Sequence, residues 1–299
     1  MMQNRGKWVI SVIVRNVLLF AGSIFLLCTL LALIPDRYAP GFTERVADYI
    51  VMAFTFDFGI SIGTGFPVVV EVFARAYNTF ILLFLTNLFV LAVAVPTGIL
   101  GALYPQNLFQ RALVTIIYGL STIPVLLWAT ILTLAIFLGL NQVLMLSDYE
   151  SADWAGKVMI IAPLVFALSI GDGMLYDIYR TVRDQIANLQ SEPWMKSLRS
   201  RGRSVKGHLS RGLVEPLVTV LSSKLTYLIS GTIVVEYIFN WPGLGMLIWD
   251  AIADDSNKDY PVIIASVMIL IVLVIGSNIA KETTHYLMNP QYRDEDIVA

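Results

Sequence analysis

Residues 194–212, WMKSLRSRGRSVKGHLSRG, hold six Lys or Arg and no acid, and they stand between two apolar stretches. The 299-residue chain is 57% hydrophobic and 14% charged, with mean hydropathy +0.73. Soluble domains carry about a quarter charged residues, so this composition indicates an integral membrane protein. The positive stretch has two readings on charge alone: a layer against lipid headgroups, or a docking surface for another protein. The net charge of −2 gives no sign of a nucleic-acid partner, because the charges are segregated along the chain. Cys28 is the single cysteine, so no intramolecular disulfide can form, and Leu27 before it is too large for a lipoprotein site. Two histidines, His208 and His285, are too few for a histidine-rich metal site. No Cys/His cluster, phosphate-binding loop or Gly-x-Ser-x-Gly occurs. The chain is therefore expected to bind no metal or cofactor and to catalyse no reaction of its own.

A helix crosses the hydrocarbon with about 20 residues. Six spans are predicted, near 16–34, 79–103, 113–139, 158–176, 217–239 and 261–280. Spans four and five carry charge, at Asp172 and at Lys224 and Glu236. The fold class is thus all-α, one transmembrane domain over residues 1–299. With the N-terminus in the cytoplasm, 14 Lys and Arg fall inside and 5 outside, and Lys224 lies within a span. Cytoplasmic loops concentrate Lys and Arg, so both termini are placed in the cytoplasm. The first span lacks a clear small-residue cleavage site and is read as a retained helix. In the external segment 35–78, PVVVEVFARAYNTF reads as an amphipathic helix leading into span two. Pro96 and Pro124 lie within spans two and three, where proline kinks a helix unless neighbours satisfy the freed carbonyl.

The largest inside segment runs from Asp177 to Glu215. YDIYRTVRDQIANLQ continues span four as a polar helix. Glu192-Pro193 opens a second, short helix, with an acid near the positive N-terminal dipole and proline in the first turn. Trp194, Met195 and Leu198 make one apolar face of it; Lys196, Arg199, Arg201 and Arg203 occupy the remainder, and Gly202 is placed to end it. Lys224 lies about eight residues into span five, where a charge costs roughly 2.5–3.5 kcal/mol on insertion scales. It lines a pathway that favours carboxylate-bearing cargo, or it snorkels, or it pairs with an acid. Asp172, between Gly171 and Gly173, is read as a structural partner for a loop arginine, and Asn278 and His285 as packing or inner-interface residues. Asn240-Trp241-Pro242-Gly243-Leu244-Gly245 forces a sharp turn after Glu236, Tyr237 and Phe239, because proline cannot continue a helical ladder and glycine permits left-handed dihedrals. That turn is either an external gate or a rigid re-entry at the interface.

MKSLRSRG, EPLVTVLSSKLTYLISGTIVVEYIFNWPGLGMLIWDAI and DYPVIIASVMIL resemble the oligopeptide/dipeptide branch of binding-protein-dependent ABC importer permeases. The matching positions are Gly202, Pro216, Val234, Val235, Glu236, Phe239, Trp241, Pro242, Gly243, Leu244, Gly245, Asp259, Tyr260 and Pro261, and the tail LMNPQYR fits as well. Two departures stand out. Lys196, Ser197 and Leu198 replace the family's Glu-Ala-Ala, and Gly202 to Pro216 spans 14 residues, about four fewer, or one helical turn, than the family pattern. The resemblance implies a permease subunit in a bacterial-type plasma (inner) membrane, forming half of a substrate pathway and paired with a second, related permease. It further implies two cytoplasmic ATPases below, which would use ATP and Mg, and an extracytoplasmic binding protein above. Glu192, Trp194, Met195, Leu198, Arg199, Arg201, Gly202 and Arg203 would then form a coupling helix seated in an ATPase groove. Lys224, Glu236, Trp241, Pro242, Gly243 and Gly245 would belong to the pathway or its gate. The implied cargo is a short peptide, with nickel or other metal chelates and small oligosaccharides as alternatives. A stand-alone secondary transporter would want an internal repeat and an ion site, and an intramembrane enzyme a nucleophile with a base or metal ligands in the spans; neither is evident.

Overall fold

A computed structural model describes residues 2–34, 41–140, 153–201, 206–253 and 258–288. Among these residues the structure is helical and contains no strand, only an isolated bridge between Ile60 and Pro67. The helices are α1 (Met2–Ala32), α2 (Phe42–Thr55), α3 (Val68–Leu103), α4 (Leu108–Ser121), α5 (Val125–Leu140), α6 (Trp154–Ile170), α7 (Met174–Ser191), α8 (Pro193–Ser200), α9 (Lys206–Ile238), α10 (Leu244–Ala253) and α11 (Tyr260–Met288). Among the described residues five helices are long and apolar enough to cross a membrane, or six when the bent pair α4–α5 counts as one.

Two compact units emerge. Of the described residues, the first comprises those up to Phe80 and Pro242–Ile279; the second comprises those in Ile81–Trp241 and 280–288. In the first, α1 and α2 pack together. Arg45 of α2 donates to the Ile34 carbonyl just past the end of α1, 2.8 Å away, where a helix leaves its last acceptors unsatisfied. The α2 helix is an amphipathic element that the sequence reading left inside an external segment. PVVVEVFARAYNTF does lead into span two, and α3 runs unbroken from Val68 to Leu103. Pro96 does not break α3, and the neighbouring Thr97 hydroxyl donates back to Val93 and Ala94 carbonyls.

In the second unit, the predicted third span is not one straight helix. It bends by 96° between α4 and α5. Pro124 lacks an N–H and cannot continue α4; instead it opens α5, its carbonyl accepting from Leu127 and Trp128. The carbonyls freed at the bend are retaken: the Trp128 indole donates to Leu120 at 3.0 Å and Thr122 Oγ1 to Gly119 at 2.7 Å. Span four is broken too. Gly171–Gly173 forms one 3-10 turn between α6 and α7, with Asp172 and Gly173 both left-handed (φ 54° and 78°). Gly171 is required there, because a Cβ would lie 2.7 Å from the Val125 Cα.

A second close approach ties α3 to α7: a Cβ on Gly98 would lie 2.8 Å from Val182 Cβ and 2.9 Å from the Tyr179 carbonyl. Overpacking of this kind costs about 1–3 kcal/mol. Gly98→Ala is therefore expected to lower the thermal unfolding temperature of the detergent-purified protein by several degrees. Gly119→Ala, where nothing lies within 4 Å, should leave it nearly unchanged.

Candidate functional site

The short helix after Glu192 forms as read. Glu192 caps α7 in an extended conformation (φ −61°, ψ 135°), and its carbonyl accepts from the Met195 N–H at 3.1 Å. Pro193 then starts α8, the position where a missing N–H costs nothing. The apolar face divides in two. Met195 is 0% exposed, whereas Trp194 is 43% exposed and Leu198 half-buried. Met195 thus anchors α8 within its own chain, and Trp194 offers the outward surface. Glu192 and Arg201 are exposed; of Arg199 only the backbone is described, and Gly202 and Arg203 lie outside the described residues. Behind α8, a Cβ on Gly212 of α9 would come 2.7 Å from Leu189 of α7, and Gln185 donates to the Gly212 carbonyl at 3.2 Å. The two helices flanking α8 are therefore locked together at that end.

On α9, Lys224 forms an ion pair with Asp177 of α7 and donates to the Asp172 carbonyl at 3.3 Å. Its ammonium also lies 5.6 Å from the Tyr227 ring centroid, within cation–π range. Of the readings open for Lys224, the structure supplies the acid. Asp172 meets the cation through its backbone, at the break between α6 and α7, and its carboxylate partner is one turn further on. His285 of α11 sits between Glu215 (Nδ1 to Oε1, 2.7 Å) and Thr219 (Nε2 to Oγ1, 2.9 Å), linking α11 to the same end of α9 that follows α8.

At its other end, α9 stops in a Schellman turn: the Trp241 N–H bonds the Glu236 carbonyl at 2.8 Å, and the Asn240 N–H bonds Tyr237 at 3.2 Å. The left-handed residue is Asn240 (φ 52°), not the glycine that the sequence suggested. Glu236 and Trp241 are buried, as are Pro242, Gly243 and Gly245. The start of α10 is gripped by α3: Asn78 donates to the Pro242 carbonyl at 2.9 Å, and the Thr79 hydroxyl accepts the Leu244 N–H at 2.8 Å.

Asp259, in the Asp-Tyr-Pro that opens α11, organises the α2–α3 connection. Its Oδ2 accepts from Ser61 Oγ (2.6 Å), Ile62 N–H (2.8 Å) and Gly63 N–H (3.3 Å), and Oδ1 from Val262 N–H (3.4 Å). One buried carboxylate thus caps a helix and clasps a loop nearly 200 residues away in sequence. The only hint in the sequence is the conjunction of SIGTG with DYP, and nothing in either stretch announces the pairing.

Known proteins resemble this arrangement. The family model described as "Binding-protein-dependent transport system inner membrane component" matches residues 94–294. The metal-staphylopine import system permease protein CntB of Staphylococcus aureus is 28% identical over 252 residues, covering 83% of this chain and 76% of that protein. The dipeptide transport system permease protein DppB of Escherichia coli is 26% identical over 263 residues, covering 79% and 77%. The glutathione transport system permease protein GsiC of Shigella boydii is 26% identical over 249 residues, covering 82% and 78%. A chain of the MetNI methionine ABC transporter in inward-facing conformations shares the fold, with TM-score 0.55 and 13% identity, covering 75% of this chain and 98% of that one.

The Asp259 clasp has a direct test. Asp259→Ala strands the buried Ser61 hydroxyl and Val262 N–H, each costing about 1–3 kcal/mol, and frees the part-buried Ile62 and Gly63 N–H groups. It should expose residues 59–66 to limited proteolysis and lower thermal stability. Ser61→Ala removes one bond of the set and should have a smaller effect in both assays.

Proposed function

The chain belongs to the binding-protein-dependent transport system inner membrane component family, and from that membership we propose a short peptide as its cargo and separate ATPases as its engine. It is a multi-pass permease subunit of an ABC importer in the inner membrane. Relatives named for dipeptide, oligopeptide and glutathione transport support the peptide reading. A metal chelate is the second reading, favoured by the relative named for metal-staphylopine.

The whole chain acts as one non-catalytic transport domain with both termini in the cytoplasm. A second, related permease completes the pathway, two ATPases dock on the cytoplasmic side and use ATP with Mg, and a binding protein delivers cargo from outside. The observation that carries the coupling reading is α8, a short helix held by buried Met195 and presenting Trp194 outward between two locked helices. Trp194 and Leu198 enter an ATPase groove, while Glu192, Arg199, Arg201 and Arg203 meet its rim and Gly202 ends the contact. Desolvated aromatic anchors dominate such contacts, and rim charges contribute mainly to encounter and specificity.

The mechanical consequence follows from α9. At 1.5 Å per residue its 33 residues form a rod about 50 Å long. A displacement of α8 by the closing ATPases moves the base of α9, and the rod carries it to the Glu236–Trp241 turn. Glu236 and Trp241, with Pro242, Gly243 and Gly245 that follow in sequence, are assigned to the pathway or its outer gate.

Affinity purification tests this reading. Co-elution of ATPase subunits, with ATP hydrolysis stimulated by a peptide-loaded binding protein, is the expected result. Transport by the lone chain would instead indicate a secondary transporter. Trp194→Ala and Leu198→Ala should abolish ATPase co-elution while the permease still folds. Met195→Ala should lower permease stability by about 2–5 kcal/mol, as for other buried methionines.

A further inference from the structure

Within α9, the exposed residues between 217 and 239 are Ser223, Thr226, Tyr227, Ser230 and Tyr237, and every one is polar. At 3.6 residues per turn they share an arc about 100° wide. Leu228, Ile229, Thr232, Val235 and Glu236 are buried on the opposite side. Other spans do the reverse: α1 exposes Ile13, Val17, Leu18 and Phe25, and α3 exposes Phe80, Phe84 and Leu88. A polar face at membrane depth cannot stand against hydrocarbon; it needs water or protein.

Lys224 borders that face, and its ion pair with Asp177 is not sealed: the side chains are 19% and 39% exposed. The pair adjoins a recess lined by Gly171, Asp172, Tyr227 and Gly231, among others. Lys224 carries three N–H donors, and Asp177 and the Asp172 carbonyl take two of them. We propose that the Lys224–Asp177 pair is a cargo site in the passage, where a zwitterion places its carboxylate on Lys224 and its ammonium on Asp177. The exchange turns one ion pair into two and strands no charge in the low-dielectric span, where a bare charge is costly. The site rests on the importer reading and deepens it, because a peptide with free ends is such a zwitterion.

Cysteine accessibility in the assembled importer tests it, in open membrane fragments so that reagent reaches both faces. Cys28, the single native cysteine and buried, is first replaced by serine. Single cysteines at Thr226 and Ser230 should react with an anionic thiosulfonate at least about tenfold faster than one at Ile131, an exposed apolar position on α5, because the reactive thiolate forms only in water. At Tyr227→Cys, the stripe position beside the Lys224 ammonium, Lys224→Gln should shift the anionic-to-cationic reagent ratio down by about threefold or more, and Asp177→Asn should shift it up, as local charge governs such rates. Dialanine should slow modification at Tyr227→Cys, while its N-acetylated amide, which has no charged ends, should not. The double variant Lys224→Gln/Asp177→Asn leaves no orphan charge to disturb folding and should abolish that protection. Stripe cysteines as slow as Ile131→Cys, reagent ratios indifferent to either variant, equal protection by the capped peptide, or protection surviving the double variant would each overturn the site. Dialanine uptake by the intact importer is scored separately. Uptake without protection overturns the site and leaves the peptide reading standing; protection without uptake does the opposite.

Discussion

Every backbone N–H and C=O placed in hydrocarbon has to find its partner within protein or a water-filled space, and among the described residues three apolar places interrupt the helices. At the α4–α5 bend, the indole of Trp128 and the hydroxyl of Thr122 take the freed carbonyls. Between α6 and α7, the Lys224 ammonium reaches the Asp172 carbonyl from another helix. After α9, a Schellman turn closes on Asn240, and the side chains of Asn78 and Thr79 hold the segment that follows. The first two breaks are therefore defined joints within one compact unit, their freed carbonyls taken by specific donors.

Joints of this kind separate helical rods, which suits the proposed drive from the cytoplasmic end. The rod α9 is locked to α7 near Gly212 and linked to α11 through Glu215, His285 and Thr219. Gly212, Glu215 and Thr219 follow α8 closely in sequence, so under the proposed coupling a displacement of α8 would be delivered to a braced assembly. Along the middle of the rod, in contrast, the outward residues are polar and lightly held. Ser223 and Ser230 return their hydroxyls to carbonyls of their own helix, which leaves this face stable before anything covers it.

The spans were legible because long uncharged runs admit little else, and α8 was legible because Glu192-Pro193 and the Trp194–Leu198 spacing encode a short amphipathic helix. The break of span three at Pro124 was visible as a proline, but its 96° angle was not: a proline states that the ladder stops, and tertiary partners such as Trp128 decide where the next helix points. Likewise Met195 and Trp194 are adjacent and apolar in the sequence, and only packing reveals that one is anchored and the other presented. Asp259 could be recognised as a helix opener, yet its bonds to Ser61, Ile62 and Gly63 are long-range, and local pattern carries no information about them. Lys224 was conspicuous as a charge in a span, while Asp177 read as part of a polar helix; the broken turn at Gly171–Gly173 is what brings the two together.

The choice of lysine at 224 bears on how that pair works. An arginine would present a planar fork able to hold a carboxylate through two parallel bonds, a geometry suited to a permanent staple. A lysine is a compact charge on a flexible four-carbon stem with rotatable donors, so it can turn among Asp177, the Asp172 carbonyl and a third acceptor without giving up its charge interactions. A glutamine would cap the carbonyl but leave Asp177 without a counter-ion at membrane depth. Joint and charge are therefore coupled: the ammonium that satisfies the broken backbone is the same group that a passing carboxylate would engage, and drawing it away loosens the α6–α7 turn against which Val125 and Gly171 are packed.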